Sequence, residues 1–184
     1  MLPPDIMQAF ASRRLLYAAK SQKSILQFWF NTTDPDDDQL RDPPGDCPFV
    51  FSRQGERIVR FHSAPALHKP MFSNRLAWGN FLFFARYMAG RRDFPIFADG
   101  TEVSDELLDA VKAVADKLER PIQWQKNDLL MLDNTRFMHG RRQIAKEDER
   151  LIMSYFGYLN FAIPSEEEPP NAKWRDPMAW NLEL

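Results

Sequence analysis

Two basic side chains in the C-terminal part of the sequence have types and a spacing that suit a ligand site. His139 lies between Met138 and Gly140, and Arg150 follows eleven residues later. A neutral imidazole is a good ligand for Fe²⁺, and a guanidinium can bind a carboxylate through two parallel hydrogen bonds. Held on neighbouring strands, the two side chains could bind opposite ends of one molecule, with a metal at the imidazole and a carboxylate at the guanidinium.

The segments around His139 and Arg150 alternate in a way that is typical of strands. Residues 139–144 and 150–161 form a predicted antiparallel pair, joined by a charged turn at 146–149. In the second segment both alternating sets are mostly apolar, which predicts a strand that is buried on both faces. A buried arginine needs an anionic partner. We therefore expect both side chains to point into one cavity, partly lined by three residues on one face of the second strand: Ile152, Ser154 and Phe156.

The elements before this pair are expected to support it. Residues 122–125 and 128–132 are predicted strands, so that 122–161 forms one antiparallel sheet system. Residues 104–118 predict a helix packed outside that sheet, with Ser104 as N-cap, one apolar face, and Pro121 beyond its end. Pro3 and Pro4 predict a short helix through Phe10. Residues 31–48 have loop composition; their aspartates lack the glycine and glutamate positions of an EF-hand loop.

Composition limits the classes of protein that fit. The 184 residues are 44% hydrophobic, which is enough for one domain with a real core, and the net charge of −2 gives no reason to expect nucleic acid or a membrane surface as partner. The single cysteine, Cys47, has no internal partner for a disulfide and no activating neighbour. No targeting or membrane-spanning segment stands out, so we expect a cytoplasmic protein.

A longer motif extends around His139 in a fixed order. It consists of Trp124, Asp128-Leu129-Leu130, Asp133-Asn134 and His139-Gly140-Arg141, with Trp78 and Asn80 upstream. Taken together, these residues resemble the C-terminal signature of the TauD/TfdA family of Fe(II)- and 2-oxoglutarate-dependent dioxygenases. Any one of them would be a weak signal; the order and spacing of the set make it specific.

The resemblance implies a fold and a set of roles. The fold is a β-rich α+β domain, a partial double-stranded β-helix (a clavaminate-synthase-like jelly roll) with flanking helices. Residues 1–163 would be the C-terminal portion of that domain, and 164–184 an extended arm. His139 would be the distal ligand of Fe(II), and Arg150 would bind the distal carboxylate of the cosubstrate 2-oxoglutarate. Beyond metal ligands, no catalytic side chain is implied.

The same resemblance implies a chemistry. Oxidative decarboxylation of 2-oxoglutarate to succinate and CO₂ would accompany oxidation of a small organic substrate. Related enzymes that act on sulfonates or aryloxyalkanoates carry a second arginine four residues after the first, and that position here is Ser154. A small, strongly anionic substrate held in that way is therefore not expected.

One part of the family pattern is absent from the sequence. The family's first two metal ligands form a His-X-Asp or His-X-Glu pair, and neither His62 nor His68 has an acidic residue two positions later. We therefore expect those ligands to lie before Met1, in a longer gene product. Two alternatives stay open: a catalytically inactive jelly-roll remnant that serves as a binding module, and a metal site rebuilt from His62, His68 and His139. Unpaired strand edges would also allow a homo-oligomer.

Overall fold

The regular elements of the described chain lie between residues 4 and 118. The computed structural model describes residues 2–140, 152–157, 159, 161, 167–169 and 172–173. The helices are α1 (Pro4–Ala11), α2 (Lys23–Phe30), α3 (Asp37–Arg41) and α4 (Asp105–Leu118), and a π-helical turn spans Phe84–Met88. The strands are β1 (Arg14–Lys20), β2 (Val50–Gln54), β3 (Arg57–Pro65) and β4 (Ile96–Phe97).

In this part of the chain the four strands form one antiparallel sheet in the order β2-β3-β1-β4. β1 pairs with β3 along its whole length, from Arg14 opposite Pro65 to Lys20 opposite Val59. β2 and β3 form a hairpin whose turn places Gly55 at φ 61°, a left-handed conformation that a residue with a β-carbon adopts at a cost. The described structure is therefore α+β, in agreement with the coarse fold class expected from the sequence.

The register of the sheet determines which side chains share a face. Directly opposed residues point to the same side, so Tyr17 shares a face with His62, and Phe51 shares that face with Arg60. This face carries two hydrophobic clusters. The first packs the sheet against α1 and α4: Phe10, Leu15, Ala66, Leu67, Leu82, Phe97, Val103, Leu108 and Val111. The second packs it against α2 and α3: Leu26, Trp29, Leu40, Phe51 and Ile58.

Helices α1 and α4 confirm the two helix predictions. Pro4 occupies the first turn of α1, and the Ser104 side chain accepts a hydrogen bond from the backbone N–H of Leu107 at the start of α4. Leu108 and Val111 of α4 are buried in the first cluster, as the apolar periodicity predicts. Among the described residues no helix has both the length and the apolar character needed to cross a bilayer.

The acidic segment 31–48 contains more structure than its composition predicts. Asp36 and Gln39 form a reciprocal capping box at the start of α3. Arg53, on β2, forms ion pairs with Asp34 and Asp37, at 3.4 and 2.8 Å. The carboxylates therefore cap a helix and bind an arginine.

The strands predicted between 122 and 161 are wrong wherever the structure describes that segment. Residues 121–140 and 152–157 form no strand. The exposure of the side chains nevertheless alternates along 129–132. Leu129 and Met131 are 94% and 87% exposed, whereas Leu130 and Leu132 are 40% and 41% exposed. The chain is therefore extended at 129–132, but no described segment lies beside it to complete a hydrogen-bonded ladder. Alternation of apolar residues in a sequence indicates an extended backbone, whereas a β-strand also requires a neighbouring segment to pair with.

Residues 152–157 also form no strand, and their side chains are exposed. Tyr155 is 95% exposed and Met153 is 86% exposed, so the expectation of a strand buried on both faces is wrong for these residues. The predicted hairpin partner, 139–144, is described only at His139 and Gly140, which form no strand. Residues 141–151 lie outside the described chain.

Candidate functional site

The segment that leads into His139 is organised by Asp133. Its Oδ1 accepts hydrogen bonds from the backbone N–H of Thr135 at 2.9 Å and from the Thr135 hydroxyl at 2.6 Å. Its backbone carbonyl accepts from the N–H groups of Arg136 and Phe137, both at 3.0 Å. An aspartate that bonds to the backbone two residues on is the usual way to fix a tight turn. The polar residues that precede His139 therefore form a closed turn.

His68 attaches this turn to the rest of the fold. Its Nε2 is hydrogen-bonded to the backbone carbonyl of Thr135, which requires that nitrogen to carry the proton. The backbone of His68 is itself fixed by an isolated antiparallel bridge to Ala77, with N···O distances of 3.1 and 2.8 Å. The contact joins residues 67 positions apart in sequence. It is therefore a tertiary restraint on the turn.

Asn80 and Trp78, the upstream residues of the motif, have structural roles here. The Asn80 amide donates to the carbonyl of Ala66 at 3.2 Å, and its oxygen accepts from the N–H of Leu82 at 3.1 Å. The Trp78 ring meets Phe10 edge-on at 4.9 Å. Both residues hold the loop after His68 against the first cluster, beside the residue that positions the turn.

Of the two predicted site residues, His139 is among the described residues and Arg150 is not. His139 follows the turn by two residues and is exposed. Arg150 lies outside the described residues, so the predicted meeting of the two side chains in one cavity stays a prediction. Ile152, Ser154 and Phe156, the expected lining of that cavity, are exposed.

The described residues do not on their own fit an iron site. Within 2–140 and the shorter described stretches, no three His, Cys, Asp or Glu side chains converge on a point. His139 supplies one nitrogen donor where a facial triad needs three ligands.

The three-histidine alternative is wrong for the same reason. Nδ1 of His62 lies 3.3 Å from the carbonyl oxygen of Pro48, and the His62 ring stacks near Tyr17 at 6.4 Å. His68 is engaged with Thr135, as described above. The three imidazoles therefore serve separate parts of the fold: His62 packs on the sheet, His68 fixes the turn, and His139 is exposed.

A second group of polar side chains was missed from the sequence. Arg60 and His62 alternate on β3 and lie beside Tyr17 of β1, where they line a cavity together with Phe49 and Phe81. Burial raises the pKa of the Tyr17 hydroxyl to about 12, with the backbone of Phe81 acting in the opposite direction. A signal was present in the sequence, since Arg60 interrupts the apolar run Ile58-Val59-Arg60-Phe61. A charge inside a buried-looking strand needs a reason.

Cys47 is a half-buried free cysteine beside the second hydrophobic cluster. Burial raises the pKa of its thiol, with smaller opposing effects from the backbone of Phe49 and from Lys173. The residue packs against the second hydrophobic cluster. A thiol whose pKa is raised is less often the nucleophilic thiolate, which agrees with the sequence-based expectation.

Comparison with known proteins identifies the family. Residues 2–155 match the family described as taurine catabolism dioxygenase TauD, TfdA family, and the chain belongs to that family. It is also 33% identical over 78 residues to the dapdiamide synthesis protein DdaC of Enterobacter agglomerans, a match that covers 42% of this chain and 22% of that protein. No solved structure matches the chain. The expected family is therefore confirmed.

Proposed function

We propose that this chain carries part of the active site of an Fe(II)- and 2-oxoglutarate-dependent dioxygenase that oxidises a small organic substrate. His139 is the proposed iron ligand, and Arg150 the proposed partner of the distal carboxylate of 2-oxoglutarate. The observation that carries the proposal is the extent of the family match, since residues 2–155 include both. The sequence contains no His-X-Asp or His-X-Glu, so the other ligands of the proposed site are not assigned to residues of this chain.

The Asp133 turn supports the proposed role of His139. A metal ligand must be held near its productive geometry by groups around it. Asp133 closes the turn, and His68 attaches the turn to the loop that follows β3. The backbone that leads to His139 is thus restrained at Thr135, four residues earlier. Such a restraint is of little use to a solvated loop residue and is useful to a ligand.

The proposal includes a jelly-roll fold. A double-stranded β-helix is built from two facing antiparallel sheets, and one antiparallel sheet of four strands is present in the described part of the chain. Within the described residues there is no second sheet, so the facing sheet is part of the proposal.

The direct test is binding of metal and cosubstrate by the 184-residue chain. Equilibrium dialysis under anaerobic conditions measures Fe(II), and then 2-oxoglutarate with and without Fe(II). We expect weak Fe(II) binding, because a site that has only one of its three protein ligands loses most of the chelation. His139→Ala removes that ligand, so the remaining binding should be lost. We expect 2-oxoglutarate binding that weakens in Arg150→Gln. Arg142→Gln, which removes the same charge eight residues earlier in the sequence, is the matched control and should bind 2-oxoglutarate normally.

A second measurement separates the enzyme from the inactive binding module. Succinate release with Fe(II), ascorbate and 2-oxoglutarate should be slow or absent for this chain alone, because only one ligand of the iron is assigned. Robust turnover that disappears in His139→Ala would mean that other residues of the chain complete the site. Binding of neither Fe(II) nor 2-oxoglutarate would contradict the proposed function and favour the binding module.

A further inference from the structure

A cavity lies on the helix-covered face of the sheet, between its two hydrophobic clusters. The sheet register explains its position: Tyr17 lies opposite His62, and Ala19 lies opposite Arg60. Leu15 and Phe51, which share this face, belong to the first and the second cluster. Alanine in place of a large residue at position 19 leaves the space between the clusters unfilled. The cavity measures about 300 Å³, at the lower end of the sizes that hold small organic ligands.

Aromatic rings form the walls of this cavity. The His62 ring stacks near Tyr17, with centroids 6.4 Å apart, and meets Phe49 edge-on at 5.8 Å. Phe81 meets Tyr17 edge-on at 6.4 Å. The four rings therefore form an aromatic wall of the cavity. Such walls favour a flat apolar group, which can stack on a ring face or meet a ring edge.

Arg60 brings an unused hydrogen-bond donor to the same cavity. Its Nη1 is buried and has no hydrogen-bond partner among the described residues. Its guanidinium carbon lies 5.5 Å from the centre of the Phe49 ring, a cation–π contact that gives Nη1 no hydrogen-bond acceptor. Burial lowers the pKa of the Arg60 guanidinium. A buried donor without an acceptor costs stability, and a charged one costs more, so an anionic partner would relieve a real penalty.

We propose that this cavity binds a small organic monoanion with a flat apolar body, its carboxylate seated on Arg60 and its body against the Phe49, His62, Tyr17 and Phe81 rings. The guanidinium matches a carboxylate in charge and in planar geometry. Among the described residues that line this cavity, none is His139, the proposed iron ligand. The proposal does not depend on iron chemistry.

Benzoate is the probe for this site, and benzamide and acetate are its controls. Benzamide keeps the ring and loses the charge, whereas acetate keeps the charge and loses the ring. A ¹H–¹⁵N NMR titration of the metal-free chain gives the dissociation constants and the location of binding. We expect benzoate to shift the amides of Ala18, Ala19 and their neighbours on β3. We expect benzamide and acetate to bind at least about tenfold more weakly, because each loses a charge-assisted hydrogen bond or the apolar contact.

Substitutions then test the role of each wall. Arg60→Gln should weaken benzoate binding by about tenfold or more, since it removes the charged donor. It should leave benzamide binding nearly unchanged. Arg57→Gln is the matched control: it removes the same charge from the same strand, but Arg57 is exposed and does not line the cavity. The Arg57→Gln variant should bind benzoate with the same affinity as the unmodified chain.

A second variant keeps the test valid if Arg60→Gln does not fold. Ala19→Leu retains Arg60 and fills the space opposite it, so benzoate binding should be lost while thermal unfolding stays close to that of the unmodified chain. Equal binding of benzoate and benzamide, or an Arg60→Gln variant that binds benzoate as tightly as Arg57→Gln, would overturn the proposal. So would benzoate-induced shifts confined to residues away from the cavity.

Discussion

Gly79 and the imidazole of His68 are packed so closely that no side chain fits between them. A β-carbon at position 79 would lie 2.6 Å from Cε1 of His68 and 3.3 Å from its Nε2. The same Nε2 is bonded to the carbonyl of Thr135. The glycine therefore makes room for the ring, and the ring holds the turn that precedes His139. The residue between the motif residues Trp78 and Asn80 thus has a physical reason to be glycine in this chain.

Gly79→Ala should destabilise the protein by about 1–3 kcal/mol, the usual cost of an overpacked contact. The imidazole can move away only by giving up its bond to Thr135, so either response costs stability. Chemical denaturation measures the change. Gly45→Ala is the control, since nothing lies within 4 Å of a β-carbon at that position. A Gly79→Ala variant as stable as Gly45→Ala would show that the contact is not tight in solution.

His68→Ala should release the Asp133 turn without unfolding the sheet. The lost hydrogen bond is worth about 0.5–1.5 kcal/mol, and the effect should be local. Hydrogen exchange measures it: the amides of Arg136 and Phe137 should exchange faster, and those of β1 should not change. The double variant His68→Ala/Gly79→Ala should lose less unfolding free energy than the sum of the losses in the two single variants. The reason is that alanine at position 68 removes the clash with the new β-carbon at position 79. Strict additivity would contradict the arrangement.

The sequence predicted those features that local chemistry determines. Helix α4 has a cap, an apolar face and a following proline within 18 residues, so its bounds could be predicted. The order and spacing of the motif residues around His139 likewise predicted the family, because both can be read directly from the sequence. Strands at 122–140 were wrong because alternation does not specify a neighbour. The His68–Thr135 contact and the Arg60 cavity could not be predicted, since both join residues that only the sheet and its loops bring together.

The turn at Asp99 gives a pH-dependent prediction. Hydrogen bonds from the Thr101 hydroxyl and N–H, and then from Arg13, lower the pKa of the Asp99 carboxyl to about 2. A lowered pKa in the folded state stabilises the fold above the ordinary carboxyl pKa and loses that effect as the pH falls towards 2. The difference in unfolding free energy between the unmodified chain and Asp99→Asn should be constant from about pH 5 to 7 and shrink below about pH 4.

Two further variants test the cause of that pKa shift. Thr101→Val removes the hydroxyl, which contributes most to the shift, so it should raise the pKa of Asp99 more than Arg13→Gln does. NMR titration of the Asp99 carboxyl carbon measures both. Glu56→Gln, at the tip of the β2–β3 hairpin, controls for loss of an exposed negative charge. The explanation fails if Arg13→Gln has the larger effect.

The extended apolar segment 129–132 should drive self-association. Leu129 and Met131 are almost fully exposed, whereas Leu130 and Leu132 are less than half exposed. An exposed apolar segment that has no ladder partner among the described residues can pair with another copy of itself. We expect concentration-dependent association of the unmodified chain in sedimentation velocity. Leu129→Glu should shift the distribution towards monomer and change the unfolding free energy by less than about 0.5 kcal/mol, as exposed substitutions do.

Leu130→Glu is the matched variant one residue away. It introduces the same charge on the opposite side of the extended segment, where the side chain is partly covered, so it should lower stability more than Leu129→Glu does. The two variants thus compare the almost fully exposed side of the segment with the partly covered side. If the unmodified chain is monomeric at all concentrations, or if both variants lower stability equally, residues 129–132 do not have the two distinct faces that their exposure indicates.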